Sequence, residues 1–561
     1  MTAVRHDPRY PRAAGLLFLA LTCFYLLFTG GHIYTPGGVA AYRVTEAIAE
    51  RGELSIEHLL ELHDHAERDV GPGLAESRFF SRGGLGLSLA ALPAYKLGDA
   101  LLPLLSAEER ELFYTPATVE GNLRFDRPRP TEWRDDMSFR RLWYEVQPHN
   151  YAEAFRAFLV SLLNSSVTAM LAVVLLFIAR ELGYSLRAGL AASLAAGLAT
   201  PLWHYAQTFL PEPLAGLLFA ACLLSLLRAR RGRGWLWLAL AGLSLGLLGL
   251  TKQALLILAL PALALLVHQT RDRSVGARAA ALAWVAAWAA PGVAATLAYN
   301  NLRFGAPFLA SYPGPAGDVS VLSGLASLLF SPGRGLLVFC PAVLVAAAAT
   351  PAFRRRNPGV SDTLWLSLAA VLLIYARRSL GEGVWSWGPR SLVPVLGPLM
   401  LPIAAWIDAP PRPEIAKAAR AVVGLSLLVA LSGHLVNFHD YHQWGLRYYQ
   451  ENAEDYRERG VESYHELVRW DWRWSPVLRY WSFPMQETML WPRAIGFPGV
   501  TRSIYLGGLL TLLLSASSLS FLNRGRGAGG PGPATPTPGS GRGAAPRSRP
   551  PAPAAPPERG G

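Results

Sequence analysis

The sequence predicts an all-α, polytopic membrane protein with about twelve transmembrane helices, and three observations carry that prediction. Of 561 residues, 52% are apolar and only 16% charged, well under the roughly 25% charge of an ordinary soluble chain. Apolar runs long enough to approach the ~20 residues of a bilayer-spanning helix recur from the first residues to about position 522. Arginine clusters fall between alternate runs, as cytoplasmic loops require. This composition excludes a disordered chain and argues against a multi-domain cytosolic enzyme. The net charge of +13 does not point to nucleic acid, because the basic residues are dispersed between apolar runs.

The expected spans are 13–29, 157–179, 186–203, 211–228, 235–250, 253–268, 278–298, 335–352, 362–377, 391–407, 418–436 and 500–522. Arg5, Arg9 and Arg12 precede the first. Arg228, Arg230, Arg231 and Arg233 follow the fourth, Arg271 and Arg273 the sixth, Arg354, Arg355 and Arg356 the eighth, and Arg524 and Arg526 the last. The alternation places both termini in the cytoplasm. The N-terminus has the basic start of a signal peptide, but its apolar run is long and no small-residue cleavage site follows, so a retained span is expected. Residues 85–104 are apolar enough to be a span, yet counting them would invert every later loop. They are therefore expected to form an amphipathic or re-entrant helix on the outer face, interrupted by Pro93.

Four parts result: a transmembrane core over 1–436 with its extracytoplasmic loop at 30–156, an outer loop at 437–499, a last span at 500–522, and a tail over 523–561. The tail is rich in Gly, Pro, Ala and Arg with almost nothing apolar to bury, and reads as disordered. Cys23, Cys222 and Cys340 all lie in apolar runs, which leaves no disulfide framework and no Cys-based zinc site. Ten of the twelve histidines fall on the outer side or its edge, so polar chemistry is expected there.

Candidate site residues follow the same logic. In the first outer loop, Thr35-Pro36-Gly37-Gly38 opens a helix that ends near Gly52, with Tyr42, Arg43, Glu46 and Glu50 on its polar face. His58, His63, Asp64 and His65 form a compact cluster, as do His439, Asp440 and His442. Neither has the spacing of a clean zinc motif, so a divalent metal is left open and no metal ligand is assigned. Glu212 stands between Pro211 and Pro213 at the outer end of the fourth span, where an ionisable group needs a partner or a task. Lys252 in the next outer turn and Arg390 after Trp385-Ser386-Trp387-Gly388-Pro389 are cations at similar depth, with Arg303 and Arg334 flanking the 299–334 loop. Several cations at one face suit a lipid phosphate. The aromatics Trp470, Trp472, Trp474, Tyr480 and Trp481 fit an interfacial belt. No Walker loop, dinucleotide fingerprint or nucleophile elbow is present.

The stretches YRVTEAIAERGEL, FFSRGGLGLSLAALPAYKLG, YNNLRFGAPF, LLFSPGRGLLVFCP and WSWGPRSLVPVL resemble the multispanning GT-C glycosyltransferases that use polyprenyl-phosphate sugars, including the protein mannosyltransferase and lipid A aminoarabinose transferase relatives. The resemblance implies an inverting transfer from a polyprenyl-phosphate sugar to an extracytoplasmic glycan, lipid or protein acceptor at the plasma membrane. It implies catalytic roles for Glu212 and an acid of the first outer loop, for which Glu46 is the candidate. Lys252, Arg390, Arg303 and Arg334 would bind the donor phosphate. Tyr42, Arg43, Arg82, His204 and Trp387 would line the substrates. The pattern expects an acid just after the first-turn proline, where this chain has Gly37. A GT-C-like protein that binds lipid-linked sugar without transfer is the alternative. A secondary transporter ranks third, because no internal repeat is visible.

Overall fold

The structure, a computed structural model, describes residues 9–33, 35–56, 70–72, 79–114, 150–230, 234–309, 320–378, 386–436, 438–482 and 499–524. The chain is a multi-pass, almost wholly helical protein. Eight described helices are long and apolar enough to cross a bilayer, and four shorter apolar helices accompany them. The expected apolar runs are helical, but several are shorter or broken. Gln253–Leu258 is a 3₁₀ turn leading into Ala259–Gln269. The run at 335–352 splits into Leu336–Phe339 and Ala342–Arg356 at Pro341, which lacks an N–H and so starts a helix more easily than it continues one.

The central element is Glu212–Arg228, which packs against Leu163–Glu181, Gly234–Thr251 and Val393–Leu399. Its link to Gly234–Thr251 is short, so those two helices run antiparallel and Thr251 returns to the level of Glu212. Arg9–Phe28 pairs with Gly499–Arg524, bringing the first and last helices together.

In the long loop after Arg9–Phe28, Pro36–Arg51 is capped by Thr35, whose hydroxyl accepts from the Gly38 N–H. The described part of this loop also holds a small antiparallel pair, Val70–Pro72 with Phe79–Ser81. Leu85–Leu101 packs on Pro36–Arg51 and Tyr151–Ser161. Together with the 3₁₀ turn that follows, it is long and apolar enough to rank among the eight helices that could cross a bilayer, where the sequence reading expects an amphipathic or re-entrant helix. Its first turn abuts the last residues of Gly234–Thr251 so closely that a Cβ on Gly86 would lie 2.1 Å from the Thr251 hydroxyl.

Residues 438–482 pack around Tyr441, Tyr449, Tyr464, Leu467, Val468, Trp474 and Tyr480, with Phe339 and Trp387 joining the Tyr441 and Tyr480 end. The His58, His63, Asp64 and His65 cluster and the 525–561 part of the tail lie outside the described residues.

Candidate functional site at the helix ends

Glu212 begins its helix, Lys252 follows the end of the antiparallel neighbour, and Arg390 opens the turn into the third helix of the group. Because those helix ends coincide, three residues separated by up to 178 positions meet. Glu212 Oε1 accepts from Lys252 Nζ at 2.8 Å and from Arg390 Nε at 2.8 Å. Helix polarity favours the arrangement twice, with an anion at a helix start and a cation just past a helix end. The Glu212 side chain is fully buried, whereas those of Lys252 and Arg390 remain 22% and 32% exposed. Its second oxygen, Oε2, has no hydrogen-bond partner among the described residues. The centre therefore shows two cations to its surroundings and hides the acid that holds them. Lys252 also lies 5.5 Å over the Tyr375 ring, a residue that nothing in the sequence singles out.

The loop that delivers Glu212 is pinned from beside it. Asn164 Nδ2 donates to the carbonyls of Thr208 and Leu210 at 2.6 and 2.8 Å, and Ser165 Oγ donates to that of Ala206 at 3.1 Å. The start of Pro36–Arg51 presses on the same loop: a Cβ on Gly38 would lie 2.8 Å from the Phe209 carbonyl oxygen. Gly37 thus sits close to the approach to Glu212.

Glu46 is engaged in a cluster of its own. Eight residues beyond Gly38, it lies about 12 Å further along the helix. There it accepts from Arg43 Nη1 through both oxygens, at 3.2 and 3.0 Å. Arg43 also pairs closely with Glu153, and the Tyr42 hydroxyl donates to the Glu153 carbonyl at 3.2 Å. Burial, opposed mainly by Arg43, holds the Glu46 carboxyl above its ordinary value. Beside this cluster Tyr95 donates to Glu50, and Arg156 bridges Glu50 and Asp99.

The remaining candidates have other partners in the structure. Arg303 is buried and donates from Nη1 to the carbonyls of Ser81, Arg82 and Gly83 at 2.9, 2.9 and 2.6 Å, clamping the entry to Leu85–Leu101. Of Arg82, the structure assigns the main-chain carbonyl a clear task in this clamp. Arg334 is buried against the 438–482 segment, where Ser331 donates to the Arg469 carbonyl and Ser475 to that of Pro332. Burial, and then the neighbouring Arg469 charge, push its guanidinium down to about 9. Tyr42, Arg43, His204 and Trp387 are all at most 4% exposed. Each is enclosed by protein, so direct contact with a substrate would require movement. Among the described residues, no three His, Cys, Asp or Glu side chains gather as metal ligands would.

Residues 138–286 match the family model described as dolichyl-phosphate-mannose-protein mannosyltransferase. The matched stretch includes Glu212 and Lys252 and ends before Arg303 and Arg390. Among solved structures, the chain is similar to ArnT from Cupriavidus metallidurans bound to undecaprenyl phosphate, with 13% identity, a TM-score of 0.45, and coverage of 84% of this chain and 75% of that one. The apo form of the same protein gives 12% identity, a TM-score of 0.46, and coverage of 87% and 78%. No curated protein sequence is significantly similar to the chain.

Proposed function

We propose that this chain is a membrane glycosyltransferase that takes its sugar from a polyprenyl-phosphate donor, with the Glu212 centre as the donor-phosphate site. The observation that carries the reading is the buried carboxylate joined to two part-exposed cations, with Glu212 and Lys252 inside the segment matched by the dolichyl-phosphate-mannose-protein mannosyltransferase family and Arg390 beyond it. The three side chains carry a formal charge of +1, and an incoming phosphate would offset that surplus. Lys252 and Arg390 bind the phosphate and stabilise the charge that grows on it as the bond to the anomeric carbon breaks. The acceptor oxygen attacks that carbon from the opposite side, with inversion; the bond to the phosphate oxygen breaks, a hydroxyl acceptor gives up its proton to water, and the polyprenyl phosphate departs with the bonding electron pair. Glu212 is a positioning residue in this scheme: it screens the mutual repulsion of the two cations and fixes their geometry. Both termini then face the cytoplasm of the cell that carries the protein in its plasma membrane, and the acceptor is extracytoplasmic.

The test is transfer of labelled sugar from polyprenyl phosphate by purified protein in lipid nanodiscs. Transfer by the wild type, lost in Glu212→Gln, is the expected result. Wild-type protein that binds polyprenyl phosphate but transfers no sugar from a panel of donors would reassign the chain to binding lipid-linked sugar.

A further inference from the structure

Arg390 reaches Glu212 only because the turn before it is held in place. Gly388 adopts a left-handed conformation, φ 62°, and its carbonyl accepts from the Arg390 N–H at 2.9 Å. Trp387 is wholly buried beside Phe339 and Tyr480, at ring separations of 4.9 and 5.0 Å. It also presses on Gly433, where a Cβ would lie 2.6 Å from the indole. These contacts fix the ring. The main chain of the turn is fixed by a different residue: the Tyr205 hydroxyl donates to the Trp387 carbonyl at 2.9 Å.

Tyr205 stands seven residues before Glu212, on the short helix Leu202–Tyr205. Its neighbour His204 bonds through Nδ1 to the Gly433 carbonyl at 2.9 Å. A carbonyl only accepts, so Nδ1 carries the proton. The arm that supplies the carboxylate and the arm that supplies the guanidinium are therefore joined behind the ion pair by one hydroxyl. Tyr205 is 0% exposed and has no access to a substrate.

We propose that Tyr205 is a positioning residue for the donor site, acting through Arg390 by tying the 386–390 turn to the loop that carries Glu212. The proposal rests on the reading of Lys252 and Arg390 as the phosphate-binding cations. Loss of the hydroxyl frees the Trp387 carbonyl and lets the guanidinium drift, which weakens the encounter with the donor more than the chemical step.

Tyr205→Phe removes that hydroxyl and keeps the ring that fills the core, so the variant is expected to fold. The expected result is a rise of about 5- to 20-fold in KM for the polyprenyl-phosphate sugar and in Kd for polyprenyl phosphate, with kcat within about twofold of wild type. In an Arg390→Ala background the same substitution should change Kd by less than about twofold, because the group it positions is gone. A lower Tm with unchanged KM and Kd would overturn the proposal and leave Tyr205 a purely structural residue. So would an effect that multiplies in full with Arg390→Ala. If Arg390→Ala and Lys252→Ala both bind polyprenyl phosphate as wild type does, the phosphate-site reading fails, and the role of Tyr205 in donor affinity fails with it. That pattern differs from an unchanged Tyr205→Phe beside a weakened Arg390→Ala, which overturns the Tyr205 role alone.

Discussion

Two buried charge clusters among the described residues are near mirror images. At Glu212 one carboxylate holds two cations; at Arg43 one cation holds two carboxylates. Their exposures separate them further. The Glu212 cations keep a quarter to a third of their surface open, whereas every member of the Arg43 cluster is at most 10% exposed. A cluster that hides its minority charge and shows its majority charge leaves that charge within reach of an anion. A cluster buried on all sides is arranged to hold helices together, here Pro36–Arg51 against Tyr151–Ser161. The comparison teaches that the sign of the surplus and its accessibility, not burial alone, distinguish a site from a clamp.

Substitutions at the two clusters should therefore fail in different ways. Glu212→Gln leaves Lys252 and Arg390 facing each other without their shared partner, and sugar transfer should fall about 10²- to 10³-fold. Near-normal transfer by Glu212→Gln would erase the distinction between the clusters. Arg43→Ala strands Glu46 and Glu153 and should destabilise the fold by about 3–5 kcal/mol. Thermal unfolding in detergent measures that loss, and donor Kd of the folded fraction should stay unchanged; a selective loss of donor binding would make the Arg43 cluster part of the site. Lys252→Ala and Arg390→Ala should each raise the Kd for polyprenyl phosphate by about tenfold with little change in Tm, and titration of both variants checks whether the two cations share one ligand.

The smallest effect is expected for Glu46→Gln, and its sign is set by titration. The Glu46 carboxyl is held above its ordinary 4.5, chiefly by burial, so the folded state binds its proton more tightly than the unfolded chain. The stability this contributes is present below about 4.5 and is lost as pH rises through the folded value. Glu46→Gln should flatten that decline in a Tm-against-pH series while changing transfer by less than about threefold. A large loss of transfer with an unchanged Tm profile would restore the catalytic role that sequence reasoning assigns to Glu46.

Much of the Glu212 centre was legible beforehand because a charge in an apolar run is conspicuous. Glu212 between two prolines, Lys252 in a tight turn and Arg390 after a Trp-Gly-Pro stretch each violate their surroundings. Arg303 and Arg334 violate theirs in the same way, yet one clamps main-chain carbonyls and the other is enclosed against the 438–482 segment. A lone arginine has the same appearance in sequence whether it serves a ligand or a loop. Tyr42 and Trp387 look like substrate-lining aromatics and are buried supports. Glu153, Tyr205 and Tyr375 carry no signal, because an acid, a tyrosine hydroxyl or an aromatic face beside a helix end is ordinary until its neighbour is known.

The sequence by itself determined the helical, membrane-embedded character of the chain and the segments that carry its charges. Hydrophobic length and the cost of an ionisable group in an apolar run are local properties, readable one segment at a time. Only the tertiary structure decided which charges meet. Pairing depends on which helix ends reach the same level, and Glu212 and Arg390, 178 residues apart, are brought together by the packing of the Glu212–Arg228 helix between its neighbours.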